Sequence, residues 1–233
     1  ITIADPFLDA APAGTVAVSG PADLKGKIFD NCVIAVKPQL IADVVPSYLP
    51  FISKSACVFS IAAGFSIESL TKIVGKRPII RMMPNLPAEI GKGVTGYFGN
   101  PEASPNDDEL AKLLTESIGL SLQVLQEEDL DKVTAVAGSG TGYAFEIIRC
   151  WIQAAEAIGL SADTSREVVL ATIGGAVDLA SVKSNSIEHL RNSVTSPNGT
   201  TAAGLAELRK DESMEKLMKA TVEAALTRAI ELR

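Results

Sequence analysis

The sequence changes character part-way along the chain, and this change is the strongest constraint on its fold. Over residues 1 to about 100, short β-rich runs alternate with helical patterns, and the runs CVIAV (32–36) and CVFSI (57–61) are continuously apolar. Continuously apolar strands are typical of parallel sheets covered on both faces. From Glu127 onward no strand pattern occurs. The sequence therefore predicts an α/β domain with a doubly wound sheet, followed by an all-α helical domain.

The predicted elements follow from apolar periodicity and from the turn and cap signals between them. Strands are predicted at 1–5, 15–18, 32–37, 57–61, 78–83, 94–98 and 121–125, and helices at 39–52, at 66–74 and from Asn106, which has acids in its first turn. Helices are also predicted at 127–136, 141–159, 163–183, 186–192, 201–210 and 213–232. We expect the two domains to comprise residues 1–103 and 104–233. Small residues are dense along 135–181, which favours close helix packing, as in an intersubunit bundle.

Charge and composition exclude several classes of function. A net charge of −7 and an aromatic content of 5% disfavour nucleic acid or an anionic membrane as a partner. A single histidine, His189, argues against a multi-histidine metal site and against a Ser-His-Asp triad, so no metal is predicted. Cys32, Cys57 and Cys150 lie far apart in apolar surroundings, and we expect reduced core residues of a cytoplasmic protein.

Three loops of unusual composition follow predicted strands. They are Ala35-Val36-Lys37-Pro38, Ala62-Ala63-Gly64 and Met83-Pro84-Asn85. Ligands of doubly wound sheets bind where strands end and helices begin, so these loops are candidate ligand contacts. The alternatives are an ordinary strand-to-helix turn at 35–38 and close strand–helix packing at 62–64.

Asp5 ends the first predicted strand. An acid at this place can accept hydrogen bonds from a ribose 2′-hydroxyl, which disfavours a 2′-phosphate. A solvated aspartate beside Pro6 is the alternative.

The segment 192–208, NSVTSPNGTTAAGLAEL, is dense in hydroxyl and turn-forming residues. Asn198 and Gly199 tolerate positive φ, and Thr200 or Thr201 is expected to cap the helix that follows. Free N–H groups at a helix start suit a carboxylate, with Ser196 nearby. On residue chemistry alone, an ordinary capped loop is the favoured interpretation.

Two further motifs precede the long helices. Gly138-Ser139-Gly140-Thr141-Gly142 lacks a preceding strand and the G-x-G-x-x-G spacing, so we expect a helix-packing turn and not a nucleotide loop. Thr134 could point at the same cleft as the 195–201 loop, although a helical threonine more often bonds its own backbone.

Five motifs occur together and in order: AVKPQ (35–39), SIAAGFSIE (60–68), RMMPNLP (81–87), AVAGSGTGYAFE (135–146) and LRNSVTSPNGTTAAGL (190–205). In these motifs the chain resembles the pyrroline-5-carboxylate reductase family over nearly its whole length. The resemblance implies a Rossmann-like domain that binds NADP or NAD, and a helical domain that forms a homodimer, sometimes within a larger ring such as a decamer.

The same resemblance implies site residues and a reaction in proline biosynthesis. The loops at 35–38, 62–64 and 83–85 would hold the cofactor, and Ser196, Asn198, Gly199, Thr200 and Thr201 would bind a cyclic imino acid together with Thr134. The family's Gly-rich turn is not found in this sequence and would be expected before Ile1. Two alternatives stay open: a dimerising fragment without cofactor binding, or another Rossmann and helical dehydrogenase of a small carboxylate. The second usually needs a Lys or His base, and the helices over 127–183 offer only Lys132 and Lys183, which disfavours it.

Overall fold

The computed structural model describes residues 1–233, which form two compact units. Unit 1 comprises residues 1–138 and 226–233, and unit 2 comprises residues 139–225. The units divide between residues 138 and 139, because residues 105–123 pack with the first part of the chain. The boundary at 103/104, as a division between domains, stays a prediction.

Unit 1 contains two sheets. Strands β1 (Thr2–Ala4) and β2 (Val16–Val18) form a parallel pair. The second sheet has the order β3 (Phe29–Ile34), β4 (Ile52–Ser60), β5 (Ile79–Met83), β6 (Gly93–Gly99) and β7 (Gly119–Gln123). Its pairs are parallel except for β5 with β6, which is antiparallel. The Rossmann-like fold class is confirmed, but the sheet is mixed.

The helices of unit 1 are short and amphipathic. They are α1 (Ile41–Val44), α2 (Ile67–Val74), α3 (Pro105–Glu116) and α4 (Asp129–Val133). Helix α2 begins after Ser66, whose side chain accepts a hydrogen bond from Ser69 N–H, and it buries Leu70 and Val74 against the sheet. The single helix predicted at 39–52 is wrong: Pro46 and Pro50 interrupt it, leaving α1 between two 3₁₀ segments.

The apolar core lies in unit 1. One cluster of buried residues packs β3, β4 and β5 against α1 and α2, and a second packs β4, β5 and β6 against α3. Phe59 and Ile80 are fully buried in the second cluster. Because both faces of β5 and of residues 56–60 in β4 are covered, these residues are continuously apolar apart from Arg81 and Ser60.

Unit 2 is entirely helical, as predicted. It contains α5 (Gly140–Ala157), α6 (Ala162–Val182), α7 (Ile187–Ser193), α8 (Thr200–Leu208) and most of α9 (Ser213–Leu232). Only Ala155, Ser165 and Val169 are buried in it. Cys150 is exposed, so the prediction of three core cysteines is wrong for this one, because α5 has an uncovered face. None of the helices combines the length and the apolarity needed to cross a membrane.

Candidate functional site

The carboxyl ends of β3, β4 and β5 lie at one edge of the sheet, because these neighbouring strands are parallel. The loops predicted from the sequence follow these ends, and we call residues 35–38, 62–64 and 83–85 the strand-end rim. Ala35 and Lys37 are exposed there, whereas Val36 and Pro38 are half-buried. Pro38 begins a 3₁₀ turn, where its missing N–H costs little. The structure thus brings together all three predicted loops.

The loop after β4 combines packing with exposure. Ala62 is buried, and its N–H donates to Ser60 Oγ at 3.3 Å. Gly64 has a φ of +67°, and a Cβ there would lie 2.7 Å from the backbone oxygen of Leu232. Close packing therefore requires glycine at this position. Ala63 is left exposed between them.

The loop after β5 is fixed by the amide of Asn85. Its Nδ2 donates to the carbonyl oxygen of Ala137 at 3.0 Å, and its Oδ1 accepts from Val94 N–H at 2.8 Å. Pro84 beside it is half-buried, and Met83 is buried in β5. The Asn85 side chain therefore ties the rim to the segment that contains Thr134.

Thr134 begins a π-helical turn, Thr134–Gly138. Turns of this kind are rare and are frequent at functional sites. The Thr134 hydroxyl donates to Leu130 O at 2.7 Å, the backbone bond that the sequence left as an alternative. With its proton committed in this way, Thr134 Oγ1 presents lone pairs and acts toward any further partner as an acceptor.

Asp5 follows β1 directly and is exposed. Its Oδ1 accepts from Phe7 N–H at 2.8 Å, and its own N–H donates to Val18 O at 3.0 Å. The carboxylate is thereby held at the end of β1, with lone pairs still available on the second oxygen.

An ion pair beneath the rim was missed by the sequence analysis. Arg81 on β5 is 1% exposed, and its Nη1 lies 2.9 Å from Glu127 Oε1. The same oxygen accepts from Ile67 N–H, the first residue of α2, at 2.9 Å. A lone charge in an otherwise apolar strand was the available signal, because a buried arginine requires a partner.

The segment 192–208 lies in unit 2 and forms the end of α7, a loop and α8. Asn198 has a φ of +59°, as expected for its turn. The residue before α8 is Gly199, and no side chain caps the helix. The expected cap by Thr200 or Thr201 is therefore wrong, because both residues lie inside the first turn.

The uncapped start of α8 leaves backbone donors exposed. The first backbone bond is from Ala203 N–H to Gly199 O at 3.1 Å, so the N–H groups of Thr200, Thr201 and Ala202 are the orphan donors of this helix. Ser196 Oγ occupies the place where a Cβ on Gly199 would lie. The helix start is thus uncapped, unlike the ordinary capped loop that the residue chemistry favoured.

Other candidates do not form sites. Lys132 is exposed and bonds Asp129 at 2.6 Å, which raises the pKa of Lys132 and keeps it protonated, so it is no base. Gly140 and Gly142 have no atom near the place of a Cβ, so the helix-packing role expected for residues 138–142 is not seen within this chain. No group of three or more His, Cys, Asp or Glu side chains is arranged to hold a metal ion.

Comparison with known proteins identifies the family. Residues 127–232 match the model for the pyrroline-5-carboxylate reductase dimerisation domain. The pyrroline-5-carboxylate reductase 2 of Bacillus subtilis is 38% identical over 205 residues, which cover 88% of this chain and 73% of that protein. The chain belongs to the pyrroline-5-carboxylate reductase family. The Rossmann-like and helical parts described above are thus those of a pyrroline-5-carboxylate reductase.

Solved structures of other pyrroline-5-carboxylate reductases agree with this fold. The enzyme from Coxiella burnetii is 31% identical with a TM-score of 0.85, covering 94% of this chain and 81% of its own. The Plasmodium falciparum enzyme, solved with NADP bound, is 29% identical with a TM-score of 0.82, covering 96% and 88%.

Proposed function

We propose that this chain reduces 1-pyrroline-5-carboxylate to proline at the expense of NADH or NADPH, the last step of proline biosynthesis. The observation that carries the proposal is the match to the Bacillus subtilis reductase over most of both chains. Two features of this chain's own structure support it: a rim of parallel strand ends, and an uncapped helix start that suits a carboxylate.

The strand-end rim fits a nicotinamide dinucleotide. Ala35 and Ala63 are small and exposed, so the backbone of two adjacent strand ends is open to a flat ligand. We assign cofactor contacts to residues 35–38, 62–64 and 83–85; the Asn85 side chain is engaged with the backbone. When bound, the dinucleotide supplies the hydride that the imine carbon receives.

Asp5 bears on the choice between the two dinucleotides. Its carboxylate is fixed at the end of β1 and would repel a 2′-phosphate, whereas it can accept from a ribose 2′-hydroxyl. We therefore propose that NADH is used at least as well as NADPH.

We assign the substrate carboxylate to the start of α8. The three orphan N–H groups there are charge-assisted donors toward a carboxylate, and Ser196 Oγ lies beside them. Asn198 in its left-handed conformation turns the chain so that Gly199 can begin the helix.

We assign the ring nitrogen to Thr134. Because its proton is donated to Leu130 O, Oγ1 accepts the N–H of a protonated imine and of the amine product. Solvent supplies that proton, so no strong side-chain acid is needed. Orientation of the two reactants then contributes most of the acceleration, up to about 7–11 kcal/mol.

We propose that the working form is a cytoplasmic homodimer in which unit 2 supplies the interface. The exposed apolar residues of α5 and α6 support this, among them Phe145, Trp151 and Val177, at 58%, 47% and 58% exposure. Faces of this kind are normally covered in the working protein.

The test is oxidation of NADH and of NADPH by the purified gene product, with 1-pyrroline-5-carboxylate as substrate. We expect turnover with at least one dinucleotide, and its absence with both would refute the proposal. Ser196→Ala, which removes the hydroxyl beside the N–H groups at the α8 start, should raise the apparent KM for the imine, and an unchanged KM would remove Ser196 from the site.

A further inference from the structure

Arg81 is the single charged residue of β5, and its side chain is almost completely buried. A guanidinium in this position must be paired, and its partner is Glu127, with 2.9 Å between Nη1 and Oε1. The Glu127 side chain is 18% exposed, so this pair is far more enclosed than the pair of Lys76 with Glu102, whose side chains are 83% and 33% exposed.

Glu127 connects more than two groups. The oxygen that faces Arg81 also accepts from Ile67 N–H at 2.9 Å. Arg81 lies two residues before Met83, and Ile67 starts the helix that follows Gly64. Glu127 itself precedes α4, which runs directly into Thr134. One carboxylate oxygen therefore joins β5 and α2, the elements next to two loops of the strand-end rim, to the segment that carries Thr134.

The segment that carries Thr134 is also held on the C-terminal side of that residue. Asn85 Nδ2 bonds Ala137 O within the π-helical turn, and Asp131 in α4 is 3.2 Å from Arg233 Nη1. Thr134 thus lies between Glu127 and Ala137, two points that are each bonded to the rim or to the elements that bear it. A π-helical turn is a poorer local minimum than a continuous α-helix, so ties at both ends are what hold Thr134 in place.

We propose that Glu127 is a positioning residue of the reductase: it sets the place of the Thr134 hydroxyl relative to the strand-end rim. This inference rests on the proposed function, because Thr134 is assigned there to the ring nitrogen. Glu127 contacts no reacting group, and it acts through the main chain of α2, β5 and α4.

Glu127→Asp is the first test. The shorter side chain keeps its charge near Arg81 but cannot reach both Nη1 and Ile67 N–H. We expect a melting temperature close to that of the unaltered protein and a kcat per folded chain lower by about tenfold to a hundredfold, since a displacement of about 1 Å can cost that much. The Kd of the dinucleotide, from fluorescence titration, should change by a smaller factor than kcat.

Replacing both Arg81 and Glu127 distinguishes a positioning role of Glu127 from a role that only neutralises the charge of Arg81. Arg81→Met combined with Glu127→Leu removes the two charges together, and apolar replacement of a buried pair is often neutral for stability. We expect the melting temperature to be retained and kcat to remain low. Glu102→Gln, in the exposed pair with Lys76, is the matched control and should leave kcat unchanged.

The outcomes distinguish this inference from the function on which it rests. No turnover by the unaltered protein would overturn both. Turnover by the unaltered protein, with kcat per folded chain unchanged in Glu127→Asp or restored in the double variant, would overturn the positioning role alone. A melting temperature and an activity that fall together, with kcat per folded chain constant, would also overturn it.

Discussion

The two units of this chain bury their apolar residues to very different extents. In unit 1, two clusters cover both faces of the sheet, and residues such as Val58, Phe59 and Ile79 have no exposed surface. In unit 2, Ala155 and Val169 are the only buried apolar residues, although its helices are rich in them. Apolar side chains therefore form a core within unit 1, whereas in unit 2 they lie on uncovered faces.

The two units therefore differ in what they require in order to be stable. Unit 1 carries the strand-end rim on a sheet whose central strands β4 and β5 bury apolar residues on both faces within the chain. Unit 2 carries the α8 start on helices whose apolar side chains, apart from Ala155 and Val169, are left partly or largely exposed by the chain itself. We expect the rim to depend on folding of the chain, and the α8 start to depend also on association between chains.

The largest effect should come from the core of unit 1. Phe59→Ala removes a fully buried ring and should lower the free energy of unfolding by about 3–5 kcal/mol, because it leaves a cavity. Urea denaturation followed by circular dichroism measures it. Phe7→Ala, at a residue that is 90% exposed, is the control and should change stability by less than about 0.5 kcal/mol. Equal effects at the two sites would break the comparison.

Substitution of an exposed apolar residue of unit 2 should weaken the association of two chains. Phe145→Glu places a charge on an exposed face of α5 and should weaken the dimer by about 2 kcal/mol or more if this face is central to the interface. Sedimentation velocity over a range of concentrations measures the dissociation. Leu113→Glu, at a residue of α3 that is 64% exposed, should leave the dimer intact. A protein that is monomeric without any substitution would contradict the expectation.

Two glycines, Gly199 just before α8 and Gly204 inside it, provide a comparison between a functional and a structural position. Gly199→Ala would push its Cβ against Ser196 Oγ and disturb the helix start, so the KM for the imine should rise by about tenfold or more, since a charged hydrogen bond contributes about 1.5–3 kcal/mol. Gly204→Ala meets no atom and should stabilise the helix by up to about 1 kcal/mol with KM unchanged. Steady-state kinetics and thermal melts decide between these outcomes.

The smallest effect concerns thiol chemistry. Burial and the nearby Asp107 and Asp108 raise the pKa of Cys57 to about 12, so only about one part in ten thousand is thiolate at pH 8. A chromogenic disulfide should therefore label Cys57 only after unfolding, whereas the exposed Cys150 should react at low protein concentration and become protected on association. Because the folded-state pKa is the higher one, Cys57 contributes stability that is lost as the pH rises from about 9 toward 12. Rapid labelling of Cys57 in the native protein would show that unit 1 opens readily.

Local signals predicted most of the elements. The helical pattern at 66–74 predicted α2, and the structure adds side-chain caps by Ser66 before α2 and by Ser104 before α3. The strandless second half was equally clear, since apolar residues recur there at helical spacing. Prolines were underestimated: Pro46 and Pro50 break a segment whose apolar pattern alone favours one helix.

The candidate site was predictable where it depends on chain order and not where it depends on side-chain partners. Loops after parallel strands must meet at one edge, so the rim followed from the strand pattern. The engagement of Asn85 with Ala137 and of Glu127 with Arg81 did not, because each joins residues more than forty positions apart in the sequence. The antiparallel direction of β6 could not be predicted either, because the direction of a strand depends on where the chain turns back.

The sequence by itself determined the order of strands and helices, the change to helices alone after Glu127, and the left-handed turn at Asn198, because these depend on neighbours a few residues apart. Only the tertiary structure decided that Gly64 lies against Leu232, that the start of α8 is left uncapped, and that one oxygen of Glu127 serves both Arg81 and Ile67. Such contacts are set by packing between distant segments, and no local pattern encodes which distant groups will meet.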